Sequence, residues 1–112
     1  MPWTIESALE DDAIEHSETT EAGYSFWLKE IPVEVRVALS VNPARGGFNF
    51  HLSHYINSPS QLGAYRPSRL WGDDKAYALH LAVKAITQYY NQAVQGGHKP
   101  SQKWLVSNEH GI

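Results

Sequence analysis

The sequence contains no cysteine, which excludes disulfide bonds and thiolate metal ligands. It also has no apolar run of the length that a membrane-spanning helix needs. Its acidic amino terminus lacks the basic start of a signal peptide. These absences predict a cytoplasmic protein without membrane attachment, whose fold depends on its hydrophobic core.

Arrangements that support catalysis or metal binding are also scarce. His51 and His54 are three positions apart in a predicted strand, so they fall on opposite faces. No serine stands in a Gly-x-Ser-x-Gly context, and no glycine-rich phosphate loop follows a strand. The adjacent carboxylates of residues 11–12 and 73–74 diverge by about 100° on a helix and cannot flank one bond. We predict no catalytic residue, metal ligand or cofactor.

The charges are divided unevenly along the 112 residues. Residues 1–34 carry nine acids and one base, a charge of −8, and residues 35–112 carry eight bases and three acids, +5. One interpretation is a solvated acidic segment that keeps the protein soluble or pairs with the basic part. The other is a basic body that binds a polyanion, or an acidic segment that binds a basic partner.

Residues 73–96 give the clearest local prediction, a long amphipathic helix. Asp73 or Asp74 can cap its start, and Gly96 and Gly97 can end it in a left-handed conformation. Apolar side chains recur between these ends at spacings of three and four, which places them on one face. They are Ala76, Leu79, Val83, Ile86, Tyr90 and Ala93.

Residues 22–56 show the alternation of half-buried strands. Apolar side chains occupy every second position in residues 24–28, in residues 33–41 and in residues 48–52, extending to Ile56. Short links between these runs predict a three-stranded antiparallel meander, with a fourth strand as an alternative. The fold class is therefore α+β, with the apolar sheet face packed against the long helix.

The remaining segments complete one predicted domain, residues 1–112. Residues 1–21 are acidic, and Ser7 with Glu10 fits a capping box for a short helix, before a loop or an edge strand. Residues 57–72 form a long loop that is functional or hides a short strand. Residues 97–112 form a tail that docks through residues 104–106. We expect residues 1–21 to fold back over Arg66, Arg69, Lys99 and Lys103.

Two groups of side chains suggest a binding surface. One is the outward sheet face, which the amino-terminal helix or the tail would cover in the alternative interpretation. The predicted register places on it Trp27, Lys29, Arg36, Asn49, His51 and Tyr55. The other lies in the long loop, where aromatic residues alternatively only anchor the loop to the core. The candidate partner-binding residues are Trp27, Arg36, His51, Tyr55, Tyr65, Arg66, Arg69 and Trp71.

The order helix, three antiparallel strands, helix resembles the double-stranded-RNA-binding-like domains. The run from Lys75 through Ile86 resembles the alanine-rich second helix of that fold. The resemblance covers most of the chain in topology and implies the fold. It does not extend to the RNA-contacting motifs, because Asp73 and Asp74 precede the single Lys75 and the Gly-Pro-x-His loop is absent.

These observations predict a small non-enzymatic module that binds a protein partner. The chain is similar in type to small α/β accessory and inhibitor proteins of phages and plasmids. The alternative is a nucleic-acid-binding module that uses the basic residues of 35–112 and an exposed aromatic sheet face. The sequence leaves the oligomeric state open, including a homodimer.

Overall fold

The computed structural model describes residues 3–67 and 70–108. In these residues six strands lie between a short and a long helix, and a seventh strand follows the long helix. In chain order the elements are α1 (Ile5–Ala8), β1 (Ile14–Thr19), β2 (Gly23–Leu28), β3 (Val35–Val41), β4 (Phe48–Leu52), β5 (His54–Ile56), β6 (Trp71–Gly72), α2 (Lys75–Gln95), a 3-10 turn (Gln102–Trp104) and β7 (Leu105–Ser107).

The main sheet has five antiparallel strands in the order β1-β2-β3-β4-β6, and β5 pairs separately with β7. The predicted α+β class is thus confirmed. The predicted three-stranded meander corresponds to β2, β3 and β4, and β1 and β6 extend it on either side. Strand β1 comes from the acidic segment, where an edge strand was one of two alternatives, and β6 comes from the long loop.

The third predicted strand is shorter than expected, because the chain leaves the main sheet at Ser53. The Ser53 hydroxyl accepts the backbone N–H of Arg36 at 2.8 Å, which ends the pairing with β3. Ile56 consequently lies in β5, where it is fully buried opposite Leu105 of β7. Extending the third strand to Ile56 was therefore wrong.

Helix α2 covers one face of the main sheet and forms the core with it. Phe26, Val37 and Phe50 from the sheet meet Leu79 and Ile86 from the helix, and all five are essentially inaccessible to solvent. Burial of each such side chain contributes about 1.5–3 kcal/mol relative to exposure. This covered face carries most of the stabilising apolar contact.

The ends of α2 follow the predicted chemistry, and the structure selects one residue at each end. Asp74 caps the start, since its carboxylate accepts the Tyr77 backbone N–H at 2.7 Å. Gly97 has the positive φ of 90°, and the next backbone N–H, that of His98, is bonded to the Ala93 carbonyl at 3.0 Å. That bond is the mark of a Schellman end.

Helix α1 is a single turn that begins earlier than predicted. Thr4, not Ser7, is its cap, and the two residues exchange backbone-to-hydroxyl bonds of 3.0 and 2.9 Å. The capping box predicted for Ser7 and Glu10 was therefore wrong by three residues. Trp3 stacks on His80 of α2 with ring centroids 3.6 Å apart, and Ala8 is buried.

This docking of the acidic segment depends on ring stacking and apolar burial rather than on charge. Among the described residues, no carboxylate of the segment forms an ion pair with Arg66, Lys99 or Lys103. The expected charge-based masking is not found there, and Arg69 lies outside the described residues.

The tail docks as predicted through two of its three apolar residues. Trp104 and Leu105 are buried, while Val106 is 39% exposed. The Trp104 ring meets Tyr90 of α2 edge-on at 5.7 Å. Within residues 3–67 and 70–108, no helix has both the length and the apolar character needed to cross a membrane.

Candidate functional site

The face of the main sheet opposite α2 is here called the outer face. It carries every second residue of each strand, and most of these residues are polar. Its register aligns Ser25 with Arg36, Ala38 with both Gly23 and His51, and Asn49 with Ser40 and Trp71. The residues of the outer face are His16, Glu18, Gly23, Ser25, Trp27, Arg36, Ala38, Ser40, Asn49, His51 and Trp71.

No helix of the described residues lies across the outer face. Helix α1 packs on α2, β5 also contacts α2, and the tail meets α2 through Trp104 and Tyr90. Within residues 3–67 and 70–108, neither α1 nor the tail as far as Asn108 lies across this face, so the covering alternative is not found in that part of the chain. The outer face is instead a broad surface of the folded protein.

Three of the predicted binding residues lie on the outer face, on three neighbouring strands. Trp27 is half-buried on β2, while Arg36 on β3 and His51 on β4 are exposed. The positions between them hold small side chains, Gly23, Ser25, Ala38 and Ser40. Gly23 and Ser25 are themselves buried, so the small residues that a partner could reach in the middle of the face are Ala38 and Ser40.

Trp71 lies at the far edge of the same sheet and has a structural explanation. Its indole N–H donates to the Gly46 carbonyl at 2.7 Å, and the Arg45 guanidinium lies 3.8 Å above its ring. A side chain at Gly47 would come within 2.4 Å of the Gly72 carbonyl and 2.9 Å of the Trp71 ring. Trp71 thus holds the β3–β4 turn against β6.

The other predicted binding residues lie elsewhere. Tyr55 belongs to β5, outside the main sheet, so its predicted place on the outward face was wrong. The Arg66 guanidinium lies 5.2 Å from the centre of the Tyr55 ring, and Tyr65 packs against Tyr89 of α2 at 4.8 Å. Arg69 lies outside the described residues. These contacts support the interpretation in which aromatic residues anchor the long loop.

A cavity of about 430 Å³ opens at one end of the outer face, beside the indole of Trp27. We call it the Trp27 cavity. Its lining combines aromatic, acidic and apolar side chains: Glu15, His16, Trp27, Glu30, Ile31 and Pro32.

Two backbone irregularities build the Trp27 cavity. The pairing register of β1 shifts between Ile14 and His16, a bulge that leaves Glu15 unpaired. Consecutive residues of a regular strand point to opposite faces, but here both Glu15 and His16 line one cavity. Glu30 has a φ of 65°, the one non-glycine residue with positive φ in the described chain. That conformation costs a non-glycine residue about 1–2 kcal/mol.

The two carboxylates are close enough to affect the same buried group. Burial, and then the charges of Glu30 and Glu15, raise the pKa of the Tyr90 phenol. The Tyr90 hydroxyl donates to the Lys29 carbonyl at 2.8 Å, next to the strained residue. Among the described residues, no lysine or arginine forms an ion pair with either carboxylate.

The sequence analysis identified Trp27 but missed the other polar groups of the cavity. His16 packs on the Trp27 ring at 5.1 Å and lies 3.4 Å from a Glu18 oxygen. Strand bulges and single positive φ values leave no periodic signal in a sequence. The one available signal was the interruption at Ile31 and Pro32, directly after Glu30.

A serine and a histidine are in contact where the chain leaves the main sheet. Ser53 lies 2.8 Å from Nδ1 of His54, but its hydroxyl is buried and also accepts a backbone N–H. Burial, and then the charge of Arg36, lowers the pKa of His54. Within residues 3–67 and 70–108, no three His, Asp or Glu side chains come together as metal ligands would.

Comparison with known protein families, with curated proteins and with solved structures finds no match to this chain. The resemblance to double-stranded-RNA-binding-like domains therefore stays a prediction from topology.

Proposed function

We propose that the protein is a non-enzymatic module that binds a protein partner through its outer face. The observation that carries this proposal is the absence of any covering helix, among the described residues, from a face that presents Trp27, Arg36 and His51. Tryptophan and arginine are the side chains most enriched at the centres of protein interfaces. The small, partly exposed side chains of Ala38 and Ser40 allow a partner's side chains to approach the sheet.

The charges of this surface favour a protein over a nucleic acid. Glu18 and Ser25 share a register row with Arg36, and the Ser25 hydroxyl donates to Glu34 at 2.5 Å. Carboxylates therefore lie in the same region as the arginine. Nucleic-acid binding depends on clustered lysine and arginine against phosphates. Elsewhere, Arg45, Arg66 and Lys75 each lie over a different aromatic ring.

A module of this kind acts by occupying a surface of its partner. That mode of action suits an accessory or inhibitor protein of the phage or plasmid type. It requires no cofactor and no reactive side chain.

Site-specific photocrosslinking in source-cell lysate tests the proposal. We expect p-benzoylphenylalanine at His51, on the outer face, to crosslink one protein, identified by mass spectrometry. The same residue at Gln92, exposed on α2, is the matched control and should not crosslink that protein. The purified partner should then bind the unmodified protein in calorimetry.

A substitution in the middle of the outer face makes the test specific. Ala38→Arg should weaken binding by about tenfold or more, a loss of ~1.4 kcal/mol, because it fills the approach to the sheet. Gln92→Arg adds the same charge on α2 and should leave the affinity unchanged. Recovery of DNA or RNA instead of a protein, or equal crosslinking from both positions, would overturn the proposal.

A further inference from the structure

We propose that the Trp27 cavity receives an arginine or lysine side chain of the partner protein. This inference rests on the proposed function, because the cavity lies at one end of the outer face. It adds the chemistry of the group that the partner must bring to that end.

The walls of the cavity match the parts of a long cationic side chain. The face of an indole attracts a cation, and Trp27 is only half-buried. Glu15 and Glu30 supply two carboxylates on the same cavity. Pro32 supplies exposed apolar surface for the methylene stem, which long basic side chains bury while their charged end stays polar.

Charge complementarity selects a cation as the occupant. Neither Glu15 nor Glu30 pairs with a lysine or arginine of residues 3–67 and 70–108. His16, the nearest basic group on the cavity wall, has its Nε2 3.4 Å from Glu18 instead. A bound guanidinium or ammonium would therefore meet two carboxylates that the described chain does not neutralise.

The surroundings of the cavity carry the same sign of charge. Residues 1–34 hold nine of the twelve acids of the chain. In the structure all six lining residues of the cavity come from this acidic part of the chain, from β1, β2 and the link that follows β2. The partner's matching surface is accordingly basic around the inserted side chain.

Titration with a single side-chain probe tests the pocket directly. The probe is Nα-acetyl-arginine N-methylamide, and its control is the citrulline analogue, which has nearly the same shape without the charge. The readout is the indole N–H signal of Trp27 in a nitrogen–proton correlation spectrum, assigned with Trp27→Phe. The signals of Trp3, Trp71 and Trp104 serve as internal references.

We expect the arginine probe to shift the Trp27 signal saturably and the citrulline probe to leave it in place. Glu15→Gln and Glu30→Gln should each weaken the arginine affinity by about fivefold, the ratio that corresponds to ~1 kcal/mol. Glu21→Gln makes the same charge change in the β1–β2 turn, at the other end of the hairpin, and should have no effect.

Equal shifts from citrulline, or an affinity unchanged in both cavity variants, would overturn the cation pocket. A titration with methylguanidinium tests whether the ligand is a side chain or a free small cation. If methylguanidinium binds as tightly as the arginine probe, the cavity recognises a free small cation and the proposed side-chain pocket is wrong. If the arginine probe does not bind the cavity, crosslinking at His51 still tests the protein partner independently. Failure of the crosslinking with a working pocket would instead remove the protein partner.

Discussion

The two faces of the main sheet differ in what their side chains do for the fold. On the covered face, Phe26, Val37 and Phe50 are closed off by α2 and contribute mainly to stability. On the outer face, the side chains of His51 and Arg36 are instead exposed to solvent. Substitutions are therefore expected to cost more stability on the covered face than on the outer face, and the outer face is the one to which we assign the proposed binding.

The largest expected effect comes from placing a charge on the covered face. Ile86→Asp buries an unpaired carboxylate and should cost more than about 4 kcal/mol of unfolding free energy, enough to prevent folding. His51→Asp makes a matched change on the outer face and should cost less than about 1 kcal/mol. Urea denaturation of the two variants measures the contrast. Similar stability of both would mean that the covered face is misassigned.

A smaller loss of stability, also on the covered face, is expected where β6 lies close to α2. A methyl group at Gly72 would lie 2.6 Å from backbone atoms of Ala78, which cannot move independently. Gly72→Ala should therefore destabilise the protein by about 1–3 kcal/mol. Gly63→Ala is the control, because no atom lies within 4 Å of the added carbon there. Equal thermal midpoints for both variants would contradict the packing of β6 beneath the helix.

A gain in stability, not a loss, is expected from one substitution at the Trp27 cavity. Glu30→Gly relieves the positive φ of 65° and should stabilise the protein by about 1 kcal/mol. Glu30→Gln keeps the strain and removes only the charge, so its stability should stay close to that of the parent. Chemical denaturation separates the two variants. A destabilised Glu30→Gly would show that the carboxylate itself supports the fold.

The residues of the covered face could be predicted from the sequence, because the spacing of apolar residues follows their burial. The alternation in residues 24–28, 33–41 and 48–52 and the helical spacing in α2 each reflect contact with the same core. Strands β1 and β6 were less predictable, since β1 is a polar edge strand and β6 has two residues. Their place in the sheet is set by pairing with β2 and β4, which is a tertiary effect.

The candidate site was predictable only where it follows the strand alternation. Trp27, Arg36 and His51 were assigned to one face because their register follows from the meander. Glu15 and Glu30 reach the Trp27 cavity through a bulge and a positive φ, which interrupt periodicity instead of extending it. A sequence argument based on regular spacing therefore identifies the face but not the pocket at its end.

The smallest expected effect is a dependence of stability on pH that comes from half-buried histidines. Burial lowers the pKa of both His54 and His80, and the charges of Arg36 and Lys84 lower the two pKa values further. The unfolded chain, with a histidine pKa near 6.5, therefore binds protons more readily than the folded protein. Stability should be complete above that value and should fall as the pH drops through the lowered pKa values.

Urea midpoints measured between about pH 7.5 and 5.5 give the slope while most carboxylates stay charged. The double variant His54→Gln/His80→Gln should flatten that slope, and His51→Gln on the outer face is the matched control. His80→Gln also removes the stacking on Trp3, so the slope, not the absolute midpoint, carries the test. An unchanged slope in the double variant would show that folding does not change the pKa values of these two histidines.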